Sequence, residues 1–152
     1  IWRLLVAIEG QRGRVRGEVG DPKHGVVEAL SFASALRSPR DSAAGAAAAG
    51  RAQHQPLTMR KAVGAATPQL AQAACTGEVL RSVVCDFVRI VEGGAEEVWF
   101  TIRLHDATIA GQRIILPESE LARTPVEEVD LAYRRIEWEH RPARTMAADQ
   151  WG

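Results

Sequence analysis

The sequence predicts a mainly β protein: a compact antiparallel β-barrel of two packed sheets, with one short flanking α-helix and one long loop. Strand-like apolar segments recur along the 152 residues, and turn residues separate them at the spacing typical of a sandwich or barrel. A single segment, residues 67–77, carries clear signals for both the start and the end of a helix. We therefore expect roughly seven or eight strands and one helix in a single domain spanning residues 1–152.

The N-terminal strands are predicted at residues 2–8 and 26–36. The first is a short apolar run that ends at a Glu-Gly turn. The second alternates with a period of two, so that large apolar side chains share one face and small ones share the other. The large side chains on one face are Val26, Leu30, Phe32 and Leu36, and the small ones on the other are Ala29, Ser31, Ala33 and Ala35.

A hairpin is predicted in the centre of the chain. Residues 79–91 are apolar on both faces, as in a strand that is covered on both sides. The Glu-Gly-Gly-Ala turn at residues 92–95 then returns the chain into a second strand. In that strand Val98, Phe100, Ile102 and Leu104 alternate with Trp99, Thr101, Arg103 and His105.

The last strand changes face part-way along its length. Val129, Leu131 and Tyr133 share one parity, whereas Ile136 and Trp138 share the other. Because successive side chains of a strand point to opposite faces, we place a bulge or bend at the two arginines between these groups. The tail at residues 144–152 is polar, and we expect it to be ordered only by a neighbour.

The helix is predicted at residues 68–76. The hydroxyl of Thr67 can cap its first turn, and Pro68 suits the first helical position because its missing N–H is no loss there. Gly77 stands where a left-handed C-cap residue is expected. Leu70 is expected to pack the helix against the barrel, since short helices are marginal without packing.

Residues 37–51 form the one low-complexity segment, RSPRDSAAGAAAAGR. Its proline and glycines oppose regular structure, although its alanines alone would favour a helix. A loop of this length between two strands is more often functional or disordered than inert. We therefore expect the loop to act outside the barrel.

Composition excludes several classes of function. The 19 basic and 19 acidic residues give zero formal net charge, so no global positive field attracts nucleic acid or an anionic membrane. No apolar run approaches the ~20 residues that span a bilayer, and the first residues lack the pattern of a secretory signal. Cys75 and Cys85 do not make a disulfide framework, and we expect both to be buried.

Enzyme signatures are absent from the sequence, which contains no glycine-rich phosphate loop, G-x-S-x-G motif or H-E-x-x-H motif. The four histidines do not lie at metal-ligand spacing. His105 and Asp106 are adjacent, so they point to opposite faces of a strand. We predict no catalytic residue, no cofactor and no metal site. The alternative is a monomeric small β-barrel that binds a ligand or acts as an enzyme.

Charges of both signs gather near the two ends of the chain. The basic positions are Arg12, Arg14, Arg16, Arg134, Arg135, Arg141 and Arg144, and the acidic ones are Glu127, Glu128, Glu137 and Glu139. Mixed patches of this kind suit contacts between identical copies, where one patch meets its complement on the next subunit. A solvated surface explains the same pattern almost as well.

Three stretches, in register over most of the chain, resemble one family. The central stretch is carried by His54, Leu57, Thr58, Lys61, Thr67, Pro68, Leu70, Ala74, Cys75, Thr76 and Gly77. The flanking ones are residues 21–32, a charged turn and a strand ending in Leu-Ser-Phe, and residues 123–142, a long strand ending in Pro. Together they resemble the haemolysin-coregulated proteins (Hcp), the tube subunits of type VI secretion. The chain departs from the family at Gly64 and Ala65, where Asp-Lys is usual.

The resemblance implies an assembly and no active site. A homo-hexameric ring would stack into a hollow tube with a contractile sheath around it, a trimeric spike at its tip and small effector proteins in its lumen. The protein would reside in the bacterial cytoplasm before firing and then be secreted without a signal peptide. The loop at residues 37–51 would be a hairpin reaching the next ring through Arg37, Arg40, Asp41 and Arg51. The candidates for the subunit interface are Arg134, Arg135, Glu137 and Glu139.

Overall fold

The computed structural model describes residues 1–20, 25–41, 45, 47–48, 50–118 and 123–152. Within these residues the elements are, in chain order, β1 (Trp2–Gly10), β2 (Gly13–Arg14), β3 (Val27–Ala33), β4 (Leu36–Arg37), β5 (Arg40–Asp41), β6 (Ala47–Ala48), β7 (Gln53–His54), β8 (Leu57–Ala62), α1 (Ala66–Thr76), β9 (Leu80–Ile90), β10 (Glu96–Ile115), β11 (Val126–His140) and β12 (Thr145–Gln150).

Six strands close into a barrel in the order β10, β9, β1, β3, β8 and β11, because β11 also pairs with β10. All these pairings are antiparallel. The closing pair runs in register from Phe100 opposite His140 to Ile115 opposite Val126. β12 continues the sheet beside β11, and α1 packs on the outside against β10. The predicted antiparallel barrel with one flanking helix is confirmed.

Alternating apolar side chains of the strands fill the barrel. In β1, Leu4, Val6 and Ile8 point inward and are buried, and Leu104 meets them from β10. Leu70 of the helix is fully buried in the same core, as predicted. Full burial of a side chain of this size contributes about 1.5–3 kcal/mol. The barrel core is therefore the main source of the stability of the fold.

The prediction that Val26, Leu30, Phe32 and Leu36 share one face of the second strand is wrong. The register between β3 and β8 shifts just after Ala29, and this β-bulge changes which side chains face inward. Ala29 is buried, whereas Leu30 is 64% exposed on the outer wall and Val26 is only half-buried. Leu36 is exposed as well, because it lies beyond the end of β3. Of the predicted face, Phe32 alone packs against the core.

The predicted central hairpin is confirmed. Gly93 and Gly94 both have positive φ in its turn, a conformation that residues with a side chain rarely adopt. β10 runs farther than predicted, to Ile115. It also bulges against β9 at Trp99, so the strict alternation of the sequence is interrupted there.

Both strands of the closing pair change face at the same level. Tyr133 and Ile136 of β11 are both buried, although an odd spacing would put them on opposite faces of a regular strand. Leu104 and Ala107 of β10 are likewise both buried at an odd spacing. Between the latter two, Asp106 has a left-handed backbone with φ of 50°. The bend predicted in the last strand is confirmed, and the irregular residue belongs to the strand paired with it.

Helix α1 begins earlier than predicted, at Ala66. The N-cap is Ala65, which makes no side-chain hydrogen bond, so the prediction of Thr67 as the cap is wrong. Pro68 then occupies the third helical position, where a missing N–H still breaks no bond within the helix. Gly77 is the left-handed C-cap, as predicted. Within the described residues no helix has the length and hydropathy to cross a membrane.

The C-terminal tail belongs to the sheet of its own chain. β12 pairs with β11 from Thr145 opposite His140 to Gln150 opposite Arg135. A turn at residues 141–144 folds it back. The prediction that residues 144–152 are ordered only by a neighbour is therefore wrong.

The predicted long loop is an extended hairpin in the part that the structure describes. β4 pairs with β7 and β5 pairs with β6, so two short ladders extend the chain between β3 and β8. Residues 42–44, 46 and 49 of this segment lie outside the described residues. The same holds for residues 119–122 and for the charged turn at residues 21–24.

The two cysteines differ in exposure. Cys85 is buried in β9 as predicted, and burial raises the pKa of its thiol to about 12. Cys75 is exposed, because it lies on the outward side of α1 near its end, so the prediction of two buried cysteines is half wrong.

Candidate functional site

A buried histidine fixes the base of the extended hairpin to the last strand. The side chain of His54, in β7, is only 1% exposed. Its Nε2 lies 2.7 Å from Oδ2 of Asp149 in β12, and its Nδ1 lies 2.9 Å from the hydroxyl of Tyr133 in β11. Arg51 lies 3.1 Å from the other oxygen of Asp149. These four residues and Trp151 are called the hairpin anchor below.

Trp151 covers this cluster from the C-terminus. Its ring stacks on His54 with centroids 5.9 Å apart, and it meets Tyr133 edge-on at 4.8 Å. Its backbone N–H donates to the carbonyl of Arg134 at 2.8 Å. The base of the hairpin and the end of the chain are therefore held as one unit.

Hydrogen bonding and burial shift the pKa values of two residues of the anchor, Asp149 and Tyr133. The hydrogen bond from His54 is the largest cause that lowers the pKa of Asp149, and it outweighs the opposing effect of burial. Burial, followed by the charge of Asp149, raises the pKa of Tyr133 to about 12. The two ring nitrogens of His54 thus have separate partners, the Asp149 carboxylate at Nε2 and the Tyr133 hydroxyl at Nδ1.

Sequence reasoning did not identify the anchor. In the sequence, His54 stands within the stretch that resembles the family. Asp149 and Trp151 fall in the polar tail at residues 144–152. The His54–Asp149 contact spans 95 positions, so no local spacing reveals it. The available signal was Tyr133, which shares its parity with Val129 and Leu131, because a buried hydroxyl needs a partner.

The four residues predicted for the contact between rings divide into two groups. Arg37, Arg40 and Asp41 lie on the hairpin strands β4 and β5. Arg37 is exposed and makes no ion pair among the residues that the structure describes. Arg51 lies at the base, where it is part of the hairpin anchor.

Paired charges cover the outer face of β9, β10 and β11. Nε2 of His105 lies 2.7 Å from Oε1 of Glu137, and this hydrogen bond is the largest cause that lowers the pKa of Glu137. A guanidinium nitrogen of Arg103 lies 2.9 Å from Glu139. Further pairs extend the row in both directions. This charged wall consists of Asp86, Arg103, His105, Arg135, Glu137, Glu139 and Arg141.

The charged wall contains three of the four predicted interface candidates, Arg135, Glu137 and Glu139. Arg134 lies apart from it, with its Nε 2.8 Å from a carboxylate oxygen of Asp106. In all of these pairs the charge is neutralised by a partner in the same chain. The wall is therefore a nearly neutral surface that exposes few lone charges.

The charged wall is not arranged for acid–base chemistry of the kind the sequence could suggest. His105 bonds to Glu137 and Asp106 bonds to Arg134, so the two adjacent residues have separate partners, as expected. No group of three His, Cys, Asp or Glu side chains in the described part of the chain could hold a metal ion.

A buried ion pair links helix α1 to the barrel. The side chains of Lys61 and Glu127 are 2% and 0% exposed, and Nζ of Lys61 donates to the Glu127 carboxylate. That carboxylate also accepts from the Thr67 hydroxyl at 2.8 Å and from the Gln112 amide. The Thr67 hydroxyl itself accepts from the N–H of Gly64 at 3.0 Å. The prediction that Glu127 belongs to a surface patch is therefore wrong.

Aromatic side chains gather at one end of the barrel. Phe87 meets Phe32 and Phe100 edge-on, with centroids 5.2 and 5.8 Å apart. Trp2, which is 54% exposed, meets Trp99 at 5.3 Å. An open groove of about 400 Å³ lies among these rings. This end offers an apolar surface without a convergent set of polar groups.

Comparison with known sequences connects most of the chain with one family. The model of the family described as "Type VI secretion system effector, Hcp" matches residues 6–140. The major exported protein of Pseudomonas aeruginosa is 30% identical over 117 residues, which are 74% of this chain and 67% of the relative.

Comparison with solved structures agrees over the full length. A crystal structure of an Hcp protein is 26% identical, covers 100% of this chain and 99% of its own, and has a TM-score of 0.88. A mutant Hcp1 from E. coli EAEC 042 has a TM-score of 0.86 at 21% identity and covers 98% of each chain. The secreted protein Hcp3 from Pseudomonas aeruginosa has a TM-score of 0.80 at 23% identity and covers 100% and 99%. The last two show a shared fold.

Proposed function

The chain belongs to the Hcp family of type VI secretion proteins, and we propose that its copies close into hexameric rings that stack into the tube of that system. The family match over residues 6–140 supports the role of a tube subunit. The observation that carries the proposal for stacking is the extended hairpin with its anchored base. An arm whose described residues lie outside the hydrophobic core, yet which is fixed at its root by buried His54, is suited to contact another molecule.

The contact between rings is assigned to the hairpin, with Arg37, Arg40, Asp41 and Arg51 as its charged residues. The anchor supports this assignment, because a rigid root lowers the entropy that is lost when the arm docks. When two rings stack through different surfaces, each end of the stack keeps one surface free. Further rings can then add, and the assembly grows into a tube.

The contact between subunits of one ring is assigned to the charged wall, with Arg135, Glu137 and Glu139, and to the neighbouring Arg134. Because these charges already have partners in their own chain, covering them leaves no lone charge in a dry interface. These ion pairs can also exchange partners with charges of the next subunit. Such exchange contributes more to the correct alignment of the two subunits than to the strength of binding.

The further partners follow from the same role. We assign a contractile sheath to the outside of the tube, a trimeric spike to its tip and small effector proteins to its lumen. The protein resides in the bacterial cytoplasm before firing and leaves the cell with the tube. The relative from Pseudomonas aeruginosa, a major exported protein, supports the export step.

A mechanical role needs no active site, and the family is one of structural secreted proteins. The alternative is a monomeric barrel that binds a ligand or acts as an enzyme. It predicts that activity depends on a particular polar side chain. We expect His140→Gln, outside the charged wall, to leave secretion intact in a chain that folds and assembles. A folded and assembled His140→Gln protein without activity would favour the enzyme.

Mass measurement tests the proposal most directly. We expect size-exclusion chromatography with light scattering to give a particle of about six times the 16.5 kDa chain, and electron microscopy to show rings and tubes. A particle that stays at 16.5 kDa at all concentrations would contradict the tube and support the monomeric alternative.

A further inference from the structure

A groove of about 380 Å³ lies on the outer wall of the barrel, where β3 and β8 run side by side. Two exposed apolar side chains stand in it: Leu30, which is 64% exposed, and Val63, which is 37% exposed. The carboxylates of Glu18 and Glu28 lie beside them. Leu30 follows Glu28 on the outer face of β3, whereas the buried Val27 and Ala29 face inward. We call the site the β3–β8 groove.

The acidic side chains of the β3–β8 groove are held in place by their own chain. The Glu18 carboxylate accepts from the backbone N–H of Ala65. Gly64 makes room for it, since a Cβ there would clash with Oε1 of Glu18. Glu28 receives two hydrogen bonds from Arg3, each 3.0 Å long. The groove is therefore preformed, with apolar side chains between fixed carboxylates.

The hairpin offers the complementary surface. Leu36 is 48% exposed, and next to it Arg37 is exposed without an ion pair among the described residues. An exposed leucine beside a cation matches a groove that holds exposed apolar side chains beside a carboxylate. One chain cannot join the two surfaces itself, because they lie at opposite ends of the same strands. The hairpin follows the Ala33 end of β3, whereas the groove lies toward its Val27 end.

We propose that the β3–β8 groove receives Leu36 and Arg37 of a second copy of this chain. Leu36 covers Leu30 and Val63, and Arg37 pairs with Glu18. The proposal rests on the proposed tube and adds the acceptor surface for its hairpin. The hairpin and the β3–β8 groove lie at opposite ends of the same pair of strands. Each copy that docks its hairpin therefore still has an empty groove for the hairpin of the next copy.

Substitutions on each side test the docking. Leu30→Arg places a second cation opposite Arg37, and Arg37→Glu places a carboxylate opposite Glu18, so each should weaken the contact. Both positions are exposed, so the fold should tolerate the changes. We expect rings of normal mass but at least tenfold fewer tubes at equal concentration. The matched controls Leu30→Met and Arg37→Lys should form normal tubes. The double variant Leu30→Arg/Arg37→Glu should regain part of the tubes, because its charges attract again.

A cross-link tests the contact without relying on long tubes. In a Cys75→Ser background, Leu30→Cys chains are mixed with Leu36→Cys chains and oxidised. We expect a disulfide-linked pair containing one chain of each kind, and much less from either preparation alone. Its absence, or normal tubes from Leu30→Arg, would overturn the groove while leaving the hexameric ring intact. A wild-type chain that forms neither rings nor tubes would instead overturn the proposed function, and the groove with it.

Discussion

Lys61 and Glu127 face each other inside the protein, one from β8 and the other from β11, with side chains 2% and 0% exposed. They are direct neighbours across the two strands. The hydroxyl of Thr67, from the first turn of α1, touches both of them. This arrangement fixes where the helix meets the barrel.

Breaking this pair on one side should destabilise the protein strongly. Lys61→Met leaves the Glu127 charge buried without its cation, and we expect a loss of about 3–5 kcal/mol in the free energy of unfolding. The double variant Lys61→Met/Glu127→Leu should be more stable than the single one, because it leaves no buried charge. Urea unfolding at neutral pH measures both. Additive losses in the double variant would show that the pair is not coupled.

Removing the side chain of Leu70 should also destabilise the fold. Leu70 is fully buried between helix and barrel, and truncation of such a leucine costs about 2–5 kcal/mol. The exposed Gln72 on the same helix provides the control, since Gln72→Ala should change stability by less than about 0.5 kcal/mol. Thermal melting compares them. Equal melting temperatures for the two variants would mean that the helix does not pack as described.

Acid should weaken the anchor and the charged wall. The pKa values of Asp149 and Glu137 are lowered chiefly by hydrogen bonds from His54 and His105. Since the native pKa lies below the unfolded one, this stabilisation is complete above the ordinary carboxyl pKa of about 4 and is lost as pH falls through the native value. The melting temperature of Asp149→Asn should therefore fall less than that of the wild type between pH 5 and pH 2. An unchanged slope would rule out a contribution from Asp149.

The two thiols should react at very different rates in the native protein. Cys75 is exposed, whereas Cys85 is buried and its pKa is raised to about 12, so it has almost no thiolate at neutral pH. A thiol reagent should label one site rapidly and the second only after unfolding. Cys75→Ser is the control and should remove the rapid phase. A rapid phase that survives in Cys75→Ser would place Cys85 at the surface.

Shortening the hairpin should separate stacking from folding. Replacing residues 41–49 with a tight glycine-containing turn leaves the hairpin anchor and the barrel intact. We expect normal rings and a nearly unchanged melting temperature, but no tubes and no secretion from cells, because the contact of Leu36 and Arg37 alone is too small to hold two rings together without the far half of the arm. Electron microscopy decides the matter, because long tubes of the shortened chain would contradict a role of the hairpin between rings.

Local signals in the sequence predicted the architecture well. The barrel followed from period-2 strands, the central hairpin from its paired glycines, and the end of the helix from Gly77. The change of face between Tyr133 and Ile136 was also readable, because parity is fixed along a strand. These features depend on neighbours within a few positions.

Features set by distant partners could not be read in the same way. The parity of Leu30 groups it with Phe32, but a bulge next to Leu30 puts the two on different faces, and that bulge depends on how β3 aligns with β8. Glu127 resembled a surface charge because Lys61, its partner, lies 66 positions away. The helix start was missed for the same reason, since the Thr67 hydroxyl serves this buried pair and not the cap.

The long pairing of β10 with β11 has a mechanical consequence. Their hydrogen bonds run across the strands, from Phe100 opposite His140 to Ile115 opposite Val126. A load applied along the strands therefore strains this whole row in shear, and the bonds must fail together instead of one after another. A barrel closed by such a seam resists crushing along the strand direction far better than peeling from its edge.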